Sequence, residues 1–135
     1  MEQIVFISHG WHDRWVAKQM ARPIREAGAV PFIDIFDIKK GDRIEPRVKE
    51  GIRNCAELVA LITPWSVDRN WVWAEIAGAW TLEKRITAIF YGIGMRDVED
   101  KHGGLACIAP TNVSSIDDFD QYVLELGERV KLGSD

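Results

Sequence analysis

"ELVALITPWSVDRNWVWAEIAGAWTLEKRITAIFY", residues 57–91, sets two apolar runs of strand length on either side of a segment long enough for a helix. ELVALIT (57–63) and ITAIFY (86–91) are nearly continuous in apolar character, as expected of strands covered on both faces. The segment between them, NWVWAEIAGAWTL (70–82), reads as a helix in which Glu75 is the only charged residue. Strand, helix and strand in that order form the repeating unit of a parallel sheet with right-handed crossovers.

The same alternation extends outward. QIVFIS (3–8), bounded by Gly10, predicts a first strand, and VPFIDI (30–35) a second. From Asp13, a plausible N-cap, to Ala27, apolar residues recur at Trp15, Val16, Met20, Ile24 and Ala27, and Gly28 supplies a helix stop. Pro23 is expected to kink that helix or end its first part, since proline removes a backbone donor. A polar loop, FDIKKGDRIEP (36–46), leads to a short helix starting near Pro46. A fifth strand is expected near 107–113, weakened by Pro110. Asp117 is expected to cap a closing helix carrying Phe119, Tyr122, Val123, Leu126 and Val130 on one stripe. No internal repeat or low-complexity stretch interrupts this pattern, and 135 residues suffice for one domain spanning 1–135.

Composition excludes several classes. With 47% hydrophobic and 28% charged residues and a net charge of −4, the chain has no basic field for nucleic acid. Cys55 and Cys107, far apart and each beside apolar residues, read as reduced thiols of a cytoplasmic protein. The N-terminal segment lacks a basic region, and its apolar run is too short for a signal peptide or a membrane span. His9, His12 and His102 do not have metal-ligand spacing, so no metal is expected. GIGMRD (92–97) lacks the third glycine of a dinucleotide fingerprint. Ser8 and His9 are neighbours on an extended strand, point to opposite faces and sit in no nucleophile elbow.

Ligands of such sheets bind at the carboxyl ends of the strands. That edge receives Ser8, His9, Asp34 and the Thr63–Pro64 turn, with Trp11 beside the first strand's end. On a helical wheel, Trp73, Ile76, Ala77 and Trp80 form one stripe, expected to face the sheet. Glu75 then points the other way, among Trp71, Gly78, Ala79 and Leu82. A lone helical glutamate ordinarily faces solvent, but none of these neighbours is charged or long and polar. A carboxylate there is costly unless it is paired or hydrogen-bonded, and desolvation raises its pKa. Trp71, one turn before Glu75, offers an aromatic wall on the same face.

VFISHGWHD, VPFIDIFDIKKGDRI and LITPWSVDRNWVWAEI, in this order and spacing, resemble the TIR (Toll/interleukin receptor homology) domain, in particular its bacterial, NAD-consuming members. The resemblance covers about residues 4–80. It implies a flavodoxin-like three-layer α/β fold with a central, mainly parallel five-stranded sheet. It also implies that Glu75 is the catalytic glutamate of an NAD+ glycohydrolase in bacterial immunity, with NAD+ as substrate and no cofactor. Ser8, His9, Trp11, Asp34, Arg43 and Trp71 are then expected on the substrate side. The loop 34–46 is expected to gate the pocket and to mediate self-association with other TIR domains. The competing class is an adaptor that assembles through that loop without catalysis, and the product of catalysis is left open between ADP-ribose and a cyclic isomer.

Overall fold

A run of six residues with its only charge at the first position becomes the central strand: Glu57–Ile62, β3, is buried throughout. In the computed structural model, which describes residues 2–33, 46–101 and 112–133, β3 lies between β1 (Ile4–Ser8) and β4 (Arg85–Phe90). The edges are β2 (Val30–Ile33) and β5 (Val113–Ser115), giving the order β2-β1-β3-β4-β5 with every pairing parallel. Pro31 sits opposite Val5 on the edge strand, where a missing N–H costs no ladder bond on the open side. Of the expected fifth strand at 107–113, only residues 112 and 113 fall among the described residues. The pairing observed there runs on through Ser114 and Ser115 opposite Ile89 and Phe90. Two serines at a sheet edge carry no apolar signal, so hydropathy does not extend the strand to them.

Helix α1 (Arg14–Glu26) follows a 3-10 turn at Trp11–Asp13. Its buried stripe is Ala17, Met20, Ala21 and Ile24, whereas Trp15, expected on that face, is 68% exposed. Pro23 does not end the helix. It lies in the last turn, and its carbonyl accepts from the Ala27 amide at 3.0 Å. The stop comes at Gly28 as expected. The Gly28 amide donates to the Arg25 carbonyl and the Ala29 amide to Ile24, a Schellman closure that needs the positive φ of 98° Gly28 adopts.

The remaining helices are α2 (Pro46–Asn54), α3 (Asn70–Thr81), α4 (Met95–Lys101) and α5 (Phe119–Gly133). The short α4, MRDVEDK, offers only Met95 and Val98 as apolar residues, too few for a period that the sequence alone reveals. Strand side chains alternate, so the sheet feeds two cores. Val5, Ile7, Val59, Leu61 and Ile89 pack with α1 and α5. Phe6, Leu58, Ala60, Ile62 and Ala88 pack with α2 and α3. On α5, Phe119, Tyr122 and Leu126 are buried, with Val123 and Val130 half-buried beside them.

At the amino end of the sheet, Glu57 is buried and fully engaged. Tyr122 Oη donates to its Oε1 at 2.5 Å, Arg129 Nη2 to the same oxygen at 2.8 Å and Arg129 Nε to Oε2 at 3.0 Å. The clamp fixes α5 to the first residue of the central strand. Cys55 is a free, buried thiol that donates to the Ile52 carbonyl at 3.1 Å, and burial pushes its pKa up. No described helix is long and apolar enough to cross a membrane.

Candidate active site

The strand order reverses between β1 and β3, so the carboxyl ends of these two strands open the crevice in which such sheets bind ligands. Ser8 is the last residue of β1 and lies opposite Ala60 of β3, which in turn lies opposite Ala88 of β4. By alternation Ser8 shares a face with Phe6, the face covered by α2 and α3. Three small side chains thus form one row across the sheet beneath α3.

That row decides how α3 sits. Its buried residues are Val72, Glu75, Ile76 and Ala79, an i, i+3, i+4, i+7 stripe of modest size. The expected stripe of Trp73, Ile76, Ala77 and Trp80 is therefore corrected. Ala77 and Trp80 are exposed, Trp80 by 54%, and Glu75 lies on the inward face. A helix seated on serine and alanine approaches too closely to admit an indole beneath it. Trp73 is accordingly displaced to a flank, where its indole nitrogen donates to the Val67 carbonyl at 2.8 Å. Trp71 is half-buried against the same core.

The inward carboxylate finds a donor. Ser8 Oγ donates to Glu75 Oε1 at 2.6 Å, with Ser8 1% and Glu75 3% exposed. This length is that of a charge-assisted O–H···O bond, about twice as strong as its neutral counterpart. Residues 67 positions apart are joined at the switch point.

His9, 5% exposed, follows immediately, and its Nδ1 lies 2.8 Å from the Gly10 carbonyl. With the proton on Nδ1, Nε2 is left as an acceptor. Nε2 is buried and has no hydrogen-bond partner among the described residues.

Asp13, Thr63 and Ser66 form a second buried group that the sequence reading missed. Asp13 occupies the N-cap position of α1, but its side chain makes no cap bond. It accepts instead from Thr63 Oγ1 at 2.6 Å. Thr63 Oγ1 also accepts from the Trp65 and Ser66 amides, while Ser66 Oγ accepts from the Thr63 amide and donates to the Leu61 carbonyl. The turn after β1 is thereby tied to the turn after β3. Gly10 permits the approach, for a Cβ there would stand 3.3 Å from the Ser66 Cβ. The hydroxyls of T-P-W-S directly after a buried strand were the signal available in the sequence.

Around this edge lies an aromatic rim. Trp11 is exposed with the Arg14 guanidinium 4.0 Å above its ring, and His12 stacks on exposed Trp65 at 4.2 Å between centroids. Of the expected site residues, Ser8 and Glu75 are in contact, His9 adjoins Ser8, Trp11 stands at the rim and Trp71 lies half-buried in the first turn of α3. Asp34, Arg43 and the loop 34–45 lie outside the described residues. Among the described residues no three of His, Cys, Asp and Glu are grouped to hold a metal ion. The other two buried carboxylates among the described residues, Asp13 and Glu57, have the partners named above.

A 2-1-3-4-5 parallel sheet between helical layers, with a hydrogen-bonded carboxylate at its switch point, defines a flavodoxin-like α/β domain with a candidate active site. A family model for the TIR domain matches residues 5–125, and the chain belongs to the TIR domain family. It is similar to Probable 2' cyclic ADP-D-ribose synthase BdTIR of Brachypodium distachyon, 34% identical over 96 residues, which covers 70% of this chain and 43% of that protein. NAD(+) hydrolase PdTIR of Paracoccus denitrificans is 25% identical over 99 residues, covering 70% and 33%. The chain thus spans less than half the length of these curated relatives. Among solved structures, the TIR domains of the activated Roq1 resistosome superpose with a TM-score of 0.71 at 12% identity, over 96% of this chain and 99% of that one.

Proposed function

We propose that this chain cleaves the bond between nicotinamide and ribose in NAD+, with Glu75 as the catalytic carboxylate. The observation that carries the reading is Glu75 itself, buried on the inward face of α3 at the switch point and held by Ser8 at 2.6 Å. The chemistry suits one carboxylate. Nicotinamide departs as a neutral molecule from a cationic pyridinium, so no general acid is needed, in contrast to an ordinary glycoside. What remains is positive charge developing on the ribose, which a carboxylate opposes more strongly in a dry site than in water. Capture of the ribosyl centre by water gives ADP-ribose, and capture by an adenine nitrogen gives a cyclic isomer. The relatives bear names of both kinds, a hydrolase and a cyclic ADP-D-ribose synthase.

At 3% exposure Glu75 touches substrate only after its covering groups rearrange, so an opening step precedes cleavage. Self-association through the loop 34–46, a cytoplasmic setting and a role in immune signalling belong to this reading through the family resemblance. Incubation of concentrated protein with NAD+, with products separated by chromatography and identified by mass, tests it. The parent is expected to release nicotinamide, and Glu75→Gln is expected to release none while keeping its fold. A Glu75→Gln protein that cleaves as well as the parent would reject the assignment.

The second reading is an assembly module without turnover. It is favoured by the exposed Trp11, Trp15, Trp65 and Trp80, which supply aromatic surface of the kind found in interfaces. A parent inactive at every concentration, yet self-associating, would decide for it.

A further inference from the structure

We propose that Ser8 is a positioning residue that acts on the reaction through Glu75 and makes no direct contact with substrate. A serine hydroxyl has one proton. Here that proton is committed to Glu75 Oε1 at 2.6 Å, so Ser8 has no proton left to donate to a substrate oxygen, and its role is exercised through its partner. The hydroxyl fixes one oxygen of a side chain with three rotatable bonds and aims the positive end of its O–H at that oxygen. Both effects serve a group whose task is to present negative charge in one place. The backbone holds Ser8 rigidly for this purpose. It is 1% exposed, it is the last ladder residue of β1, and its opposite number in β3 is Ala60, too small to intrude between Ser8 and α3.

The proposal rests on the reading of Glu75 as the catalytic carboxylate, and the assay separates the two. Parent and Glu75→Gln are measured first for nicotinamide release, then Ser8→Ala and Ser8→Thr, each with a thermal melt. Ser8→Ala is expected to lower kcat by about 10- to 100-fold, the span of one hydrogen bond to a charged group, with KM nearly unchanged. Ser8→Thr, which keeps the hydroxyl, is expected to recover most of that loss. If Ser8→Ala melts too early for kinetics, Ser8→Cys, of similar shape but a weak donor, is expected to show the same fall. NAD+ affinity is then compared in the Glu75→Gln background with and without Ser8→Ala, and is expected to be equal.

Parental kcat in Ser8→Ala would overturn the proposal. Weaker NAD+ binding on adding Ser8→Ala to Glu75→Gln would also overturn it, by revealing direct substrate contact. A parent without turnover, or a fully active Glu75→Gln, would remove the functional reading itself and this proposal with it.

Discussion

Replacing Thr63 by valine removes one hydroxyl from a fully buried position and changes almost nothing in shape. Thr63 Oγ1 gives its proton to Asp13 Oδ2 at 2.6 Å and accepts from the amides of Trp65 and Ser66 at 3.2 and 3.1 Å. A hydrogen bond to a charged group contributes about 1.5–3 kcal/mol, and removing one partner of a buried charge costs about 3–5 kcal/mol. Asp13 is 4% exposed, so water cannot easily replace the lost donor. The two amide contacts are long and add little. Thr63→Val should therefore destabilise the domain by about 3 kcal/mol. For 135 residues the unfolding entropy is about 0.28 kcal/mol/K, which converts that loss to a fall in Tm of about 10 °C. Differential scanning calorimetry reads it directly. Asp13→Asn keeps an acceptor for Thr63 and removes the charge, so adding Thr63→Val to it should cost less than adding Thr63→Val to the parent. A fall in Tm below about 3 °C for Thr63→Val, equal to less than about 1 kcal/mol, would refute the claim that this clasp holds the two turns together.

Tyr122, pushed above its ordinary value by burial and then by the adjacent Glu57, keeps its proton in the folded state where an unfolded tyrosine, near pH 10, has lost it. The folded form then binds more protons, so stability is complete below about pH 10 and falls as pH rises beyond it. Tyr122→Phe should lose about 1.5–3 kcal/mol at neutral pH and show a shallower decline from pH 9 to 11, both measured as urea midpoints. Gly28→Ala forces a side chain into a φ of 98° and sets its Cβ 3.2 Å from Val130 Cγ1, and should lower stability by about 1–2 kcal/mol in the same assay. If competent sites form by self-association, nicotinamide release per molecule should rise with protein concentration, and charge reversal at Lys40 or Arg43 should suppress it with Tm unchanged. A flat dilution curve for a scattering-verified monomer would count against assembly.

Much of this architecture was legible because buried strands announce themselves. Six consecutive apolar or small residues at 58–63 have few other structural solutions, and the order of strands and helices then fixes the parallel sheet. The single charge of α3 also marks Glu75 in the sequence. Its orientation differs from the helical-wheel expectation, and the cause is specific. Large apolar residues are the natural choice for an inward stripe, but the row beneath this helix is Ser8, Ala60 and Ala88, and a row so shallow selects Val72, Glu75, Ile76 and Ala79. Side-chain size on three separate strands is information that the helix's own periodicity does not contain. Asp13 sits at the expected N-cap position, but its side chain turns to a hydroxyl 50 residues away, which the local sequence does not contain. The pairing through Ser114 and Ser115 carried no hydropathy to detect.

The same row has another consequence. Since α3 rests on Ser8, Ala60 and Ala88, the height of the helix above the sheet is set by side chains on three strands. A carbon atom added at Ala60 reaches about 1.5 Å further toward the helix. A lift of that size would carry the 2.6 Å contact between Ser8 and Glu75 beyond hydrogen-bonding range. Ala60 therefore works as a shim, calibrating from within the core a distance on which the chemistry is proposed to depend.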